Sequence, residues 1–176
     1  MVEHPLPELH VAEGVGGLML FLDTEFTDFR RPALLSIGLV DASGAHLFYG
    51  VVEDFDQAAC SDFVRESVLP KLHARFPACE KAAGGVFRGA AMGKVLAEWL
   101  AAVRAALGGG RLLVVFDYWS DGDLLLEVLG AQRPGWLDLE DVGPKLPPSM
   151  FDQAEHELRH HALFDAMQLR RVYLDA

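Results

Sequence analysis

Leu18-Met19-Leu20-Phe21-Leu22-Asp23-Thr24-Glu25 is a run of five apolar residues that ends in two carboxylates. An apolar run of that length reads as a strand buried on both faces, as in a sheet covered by helices. Residues two apart on a strand project to the same face, so Asp23 and Glu25 aim their carboxylates at one point at the strand's end. Carboxylates that close repel one another, and burying them is costly unless a cation lies between them. Hard oxygen ligands at an open site suit Mg²⁺ or Mn²⁺. The competing reading is a strand end with two solvated acids. In a chain with 26 acidic residues among 176, an isolated D-x-E carries little information, so its weight depends on what accompanies it.

Outward from this strand, residues 33–41 are rich in Leu, Ile and Val and read as a second strand. Asp41-Ala42-Ser43-Gly44 supplies turn chemistry, and residues 46–52 read as a third strand paired in a meander. Between residues 60 and 76 apolar positions recur at helical steps, predicting an amphipathic helix interrupted near Pro70. A stronger helix is predicted over 91–107, with Val95, Leu96, Trp99, Leu100 and Val103 on one side and Gly108-Gly109-Gly110 as its terminator. Residues 111–116 form another buried strand ending in an acid, followed by a helix over 121–129. The Pro/Gly-rich connection 133–149 contains a short last strand near 136–139, and a helix begins at Glu155 or His160 and runs to Tyr173. Three antiparallel strands followed by helix, strand, helix, strand and helix make an α/β layer fold with a mixed central sheet flanked by helices. Residues 1–16 read as a loose leader, which leaves 17–176 as a single domain.

Composition narrows the function. The 51% hydrophobic content supports one sizeable core, and no apolar run reaches the roughly 20 residues needed to span a bilayer. No secretory leader is visible, so a cytoplasmic location without membrane contact is expected. Cys60 and Cys79 are too few for a disulfide framework and have no zinc-ligand spacing. A net charge of −11 argues against a long electrostatic track for nucleic acid, so any such substrate must be gripped locally, at one end. No glycine-rich phosphate loop follows a strand, which disfavours a nucleotide-binding module.

Two further segments accompany the first. Asp117-Tyr118-Trp119-Ser120-Asp121-Gly122-Asp123 follows a buried strand and opens a helix, and its acids serve equally well as caps or as ligands. His160-His161-Ala162-Leu163-Phe164-Asp165-Ala166 enters the last helix. Within a helix, His161 and Asp165 would share a face, which favours His161 as the acid's partner. That preference lapses if the helix starts after the histidines.

The three segments L-F-L-D-T-E-F, D-Y-W-S-D-G-D-L-L and H-H-A-L-F-D-A resemble, in order, the three motifs of DEDDh 3′–5′ exonucleases of the ribonuclease-H-like superfamily. The likeness is greatest to small bacterial 3′–5′ exoribonucleases that begin with D-T-E-F and end with H-x-A-L-x-D-A and basic residues, here Arg170-Arg171. The resemblance implies a ribonuclease-H-like fold and two Mg²⁺ (or Mn²⁺) held by Asp23, Glu25, Asp121 and Asp165. It also implies His160 as catalytic base, because the family's His stands five positions before its Asp, and Glu25 as a residue serving both metal and catalysis. Asp121 is preferred over Asp117 for its place at the helix start with Leu124 and Leu125 a turn later, and Asp123 is expected to face solvent. Thr24 and Phe26, where the chain leaves the site, are expected to meet the terminal nucleotide, with Trp119 and Arg30, Arg31, Arg170 and Arg171 as further candidates. The implied activity is release of nucleoside 5′-monophosphates from the 3′ end of single-stranded RNA by a homodimer. The alternatives are an exodeoxyribonuclease of the same family and a catalytically inactive nucleic-acid-binding module.

Overall fold

The structure is a computed structural model that describes residues 18–146 and 157–175. The expected leader, 1–16, and a helix start at Glu155 lie outside the described residues. The first strand, β1 (Leu18–Phe26), is longer than its apolar run suggests: it passes through both acids and ends at Phe26. Its antiparallel neighbour β2 (Leu34–Asp41) accounts for the extra length, pairing along its whole course from Leu20↔Asp41 to Phe26↔Leu34, with a bulge between Glu25 and Phe26. β3 (Leu47–Val52) completes the meander.

Where one amphipathic helix is predicted over 60–76, the chain instead makes short turns: a 3₁₀ turn at Gln57–Ala59, a π-helical turn at Val64–Val68 and a second 3₁₀ turn at Leu69–Lys71. Pro70, without an amide hydrogen, cannot continue a regular ladder. The apolar spacing still does its work, since Val64, Val68 and Leu72 pack with Leu35 and Val51. The five-residue helix α1 (Pro77–Lys81) leads into β4 (Ala83–Phe87), a strand the sequence does not predict, parallel to β3 at the sheet edge.

The remaining elements fall close to expectation. They are α2 (Ala91–Ala106), β5 (Leu112–Phe116), α3 (Trp119–Leu129), β6 (Leu137–Asp141) and α4 (Ala162–Asp175). The sheet is six-stranded and mixed, in the order β4-β3-β2-β1-β5-β6, with β5 parallel to both β1 and β6. Strand alternation sends Leu20 and Leu22 to one face, where they pack with Leu96 and Leu100 of α2 and Leu125 and Leu129 of α3. Phe21 and Val40 face the other side and pack with Leu163, Ala166 and Leu169 of α4. Burying both faces explains why β1 carries no polar alternation before Asp23.

Two features create a site. β5 pairs with β1 only from Leu18↔Leu112 to Phe21↔Val115, so the acidic end of β1 runs past its parallel neighbour and is not covered by it. On β2, Gly38 lets the start of α4 lie directly on the sheet, because a Cβ there would stand 2.3 Å from the Leu163 nitrogen. No helix among the described residues is long and apolar enough to cross a membrane.

Candidate metal centre

Three parts of the chain reach the uncovered end of β1. Phe116 ends β5, and the chain turns through Asp117 and Tyr118 into α3. Gly122 brings the first turn of α3 flat against the Phe116 ring, since a Cβ would lie 2.6 Å from it. That close approach delivers Asp121, the third helical residue, beneath β1. The Tyr118 side chain makes no cap bond, while the backbone of Tyr118 lies against the Asp121 carboxyl, so capping remains part of that acid's role. Asp121 Oδ1 also accepts the hydroxyl hydrogen of Thr24 at 2.5 Å.

α4 begins at Ala162, after both histidines, so the shared-face relation between His161 and Asp165 does not apply. His160 adopts φ 66°, a left-handed conformation uncommon outside glycine. Its amide donates to Asp165 Oδ2 at 2.8 Å, while the Asp165 amide donates to the His161 carbonyl at 3.0 Å. This reciprocal pair ties the entering turn to the helix and sends the two imidazoles apart. The His160 ring stands edge-on to Phe63 at 5.0 Å, beside the acids. The His161 ring turns into the protein, stacked on Tyr49 at 4.3 Å and edge-on to Phe76 at 5.1 Å, with Nε2 3.8 Å from Cys79 Sγ.

The acids fall into two neighbouring groups. Asp23, Asp117 and Asp121 each offer an oxygen within 4.8 Å of the others, and Glu25, Asp165 and His160 form a second set of the same compactness. In the sequence Asp117 and Asp121 compete for one place; in the structure both converge on Asp23. Asp123 is exposed, as expected. Burial, reinforced by the neighbouring acids, raises every one of these carboxyls: Asp23 well above its ordinary range, Glu25 and Asp121 to about 8, and Asp165 to about 6. Asp117 shifts the same way, chiefly through burial. The His160 imidazole is pushed down by burial and by the charges of Arg159 and Lys71. Lys71 Nζ donates to the Arg159 carbonyl at 2.6 Å, fastening the turn before His160 to the 3₁₀ segment across the cleft.

These groups share one cleft of about 430 Å³. Its mouth is aromatic: Phe26 meets Phe29 edge-on at 5.3 Å and stacks at 6.4 Å on Tyr118, which touches Trp119. Phe29 is 64% exposed and Trp119 52%. Phe29 and Tyr118 stand close to the acidic motifs in sequence, whereas nothing in the sequence links Phe63 to them. The basic candidates fare differently. Arg30 and Arg31 are exposed, whereas Arg170 is committed to the fold, donating twice to the Ala42 carbonyl at 2.9 and 2.7 Å.

The residues fit hard divalent cations. Asp121 is only 2% exposed, yet its Oδ2 has no hydrogen-bond partner, and Asp23 Oδ2 is likewise enclosed and unpartnered. A buried carboxylate oxygen left without a donor, facing other carboxylates, is costly unless a cation takes it up. No family model, curated protein or solved structure matches the chain.

Proposed function

We propose that this chain is a metal-dependent 3′–5′ exonuclease of the ribonuclease-H-like, DEDDh type, acting on the ends of single-stranded RNA. The observation that carries this reading is the meeting of Asp23, Glu25, Asp121 and Asp165 with His160 in one cleft, from three distant segments, with a buried Asp121 oxygen left unpartnered. A purely binding module has no use for acids arranged at such electrostatic cost.

Asp23 and Asp121 would hold one Mg²⁺ or Mn²⁺, and Glu25 and Asp165 the other. When bound, such ions lower the pKa of water and stabilise charge on a leaving oxygen. The chain's own contributions follow from their environments. Thr24 orients Asp121 by holding its Oδ1, which leaves Oδ2 free. His160, kept neutral by burial and nearby cations, accepts the proton of the attacking water. As the water oxygen bonds to phosphorus, the bond to the preceding 3′ oxygen breaks and a nucleoside 5′-monophosphate departs.

Phe26, Phe29, Tyr118 and Trp119 offer flat faces beside the acids on which terminal bases stack without sequence preference. Such a grip at one end suits a protein of charge −11 better than a long basic channel. The test is digestion of 5′-labelled RNA and DNA oligomers with Mg²⁺, with Mn²⁺ and with chelator. A ladder shortening from the 3′ end only when metal is present supports the reading; no cleavage of either polymer with metal rejects it.

A further inference from the structure

We propose that Asp117 is a third carboxylate ligand, with Asp23 and Asp121, of a divalent-cation site that fills before any substrate arrives. This inference rests on the metal-centre reading above and adds an acid to the four that the sequence motifs supply.

Asp117 follows β5, and one of its carboxylate oxygens lies within 4.8 Å of oxygens of both Asp23 and Asp121. Its backbone is held firmly. The Val142 amide donates to the Phe116 carbonyl at 2.8 Å, and the Asp117 carbonyl occupies the space over Gly143, where a Cβ would come within 2.0 Å. The backbone that carries this carboxylate therefore keeps its place without help from a substrate. Independently, the Oδ2 of Asp121, on a residue 2% exposed that belongs to this group, is enclosed with no side-chain or solvent partner while Oδ1 accepts from Thr24. A deeply buried carboxylate oxygen in that position is costly unless a cation takes it up.

The two groups differ in charge. The Asp23–Asp117–Asp121 set carries three ionised carboxylates when loaded, whereas Glu25, Asp165 and His160 provide two and a neutral imidazole. Affinity for hard cations rises with the number of charged oxygen ligands and with the rigidity of their frame. The first set has the advantage in charge, so it should hold its ion in the free protein, with the second ion bound more weakly.

Calorimetry and Mn²⁺ electron paramagnetic resonance on the substrate-free full chain test this. Wild type should show two classes of Mn²⁺ site. Asp117→Asn, close in size and shape, should weaken the tighter class at least tenfold and leave the weaker one unchanged, whereas Asp165→Asn should do the reverse. Asp117→Ser provides a second variant with the same expectation, and melting in chelator reports whether each variant folds. Unchanged Mn²⁺ binding in folded Asp117→Asn and Asp117→Ser, with binding lost in Asp121→Asn, overturns the role of Asp117 alone. Absence of Mn²⁺ binding by wild type overturns the metal centre itself.

Discussion

The Thr24 hydroxyl donates to Asp121 Oδ1 at 2.5 Å, joining the residue between the two β1 acids to the acid on α3. Alternation on β1 places Thr24 on the face opposite Asp23 and Glu25, and Asp121 approaches from that side. The bond fixes which oxygen of Asp121 remains free. Partners that orient a metal ligand are commonly worth 10- to 100-fold in metal affinity. Thr24→Val, which keeps the shape and removes the donor, should therefore weaken Mn²⁺ binding by about tenfold or more. Thr24→Ser should retain it. Equal affinities in titration calorimetry would show that Asp121 does not need this bond.

Glu25 and Asp121 carry carboxyls raised to about 8, and Asp165 to about 6, against an unfolded value near 4. Between those limits the folded, metal-free chain binds more protons than the unfolded one, so its stability falls as pH rises. His160 and His161, depressed by burial, act in the opposite sense, and their effect is half spent at about pH 6.5 and gone by about pH 7.5. From about pH 6.5 to 8 the carboxyls outweigh it. In chelator, Tm should fall across it. With saturating Mg²⁺ the carboxylates are held ionised, so the gain in Tm from metal should be greater at pH 8 than at pH 6.5. A chelated protein whose Tm is flat or rises over this window would contradict the raised carboxyls.

How much of this was legible in the sequence depends on how far each signal is local. β1 to β3, α2, β5 and α3 follow from apolar runs, helical spacing and turn residues. β4 does not, because the glycine pair in Ala83-Gly84-Gly85-Val86-Phe87 weakens the strand signal, and pairing with β3 makes it a strand. The acids of the site were legible as motifs, but their division was not. Alternation along β1 placed Asp23 and Glu25 at one point; in the structure Asp23 joins Asp117 and Asp121, and Glu25 joins Asp165. That choice is made by α3 and α4, which arrive from opposite faces of the sheet. Asp117 and Asp121 looked like rivals because spacing along a chain does not tell which side of a turn each carboxylate faces.

His161 illustrates the same limit. The resemblance, by selecting His160, leaves it without a catalytic role, yet it is 1% exposed and packed between Tyr49, Phe76 and Cys79. Its carbonyl accepts from the Asp165 amide, so the ring anchors the strained turn that presents His160. Emptying a buried aromatic site typically costs about 3 kcal/mol. His161→Ala should lose about that in chemical denaturation, and kcat should fall in the molecules that remain folded. His161→Phe, which keeps the stacked ring, should recover most of both. His160→Ala should do the converse, keeping the fold while kcat falls by roughly 10²- to 10⁴-fold, the usual contribution of a general base. Wild-type stability in His161→Ala would show that the ring anchors nothing.

Gly38→Ala tests how closely α4 must approach the sheet. The added Cβ would stand 2.3 Å from the Leu163 nitrogen and 2.4 Å from the Ala162 carbonyl carbon, backbone atoms that move only with the helix. Overpacking of this kind costs roughly 1–3 kcal/mol. The displacement should carry Asp165 away from Glu25, so Mn²⁺ affinity at that pair should drop along with Tm. A Tm loss without any change in Mn²⁺ binding would mean that the strain relaxes elsewhere.

The substrate prediction joins the charge to the cleft. A protein of net charge −11 gains little from a long polyanion, so an oligomer's affinity must come from metal and from the bases stacked at its 3′ end. Phe29 is the most exposed ring lining the cleft, and Trp119, also exposed, lies against Tyr118 beside it. Each base–aromatic stack is worth about 1–3 kcal/mol, so Phe29→Ala or Trp119→Ala should raise KM for a five-nucleotide RNA by about tenfold. The same variants should leave hydrolysis of the p-nitrophenyl ester of thymidine monophosphate, which has no neighbouring base, nearly unchanged. Long duplex DNA should be the poorest substrate, because its ends are paired and its length brings no compensating contact. Matched five-nucleotide RNA and DNA, compared by kcat/KM, measure sugar discrimination directly, and RNA is expected to be favoured through its 2′-hydroxyl. Equal or higher values for DNA would make this an exodeoxyribonuclease with the same acids and the same base.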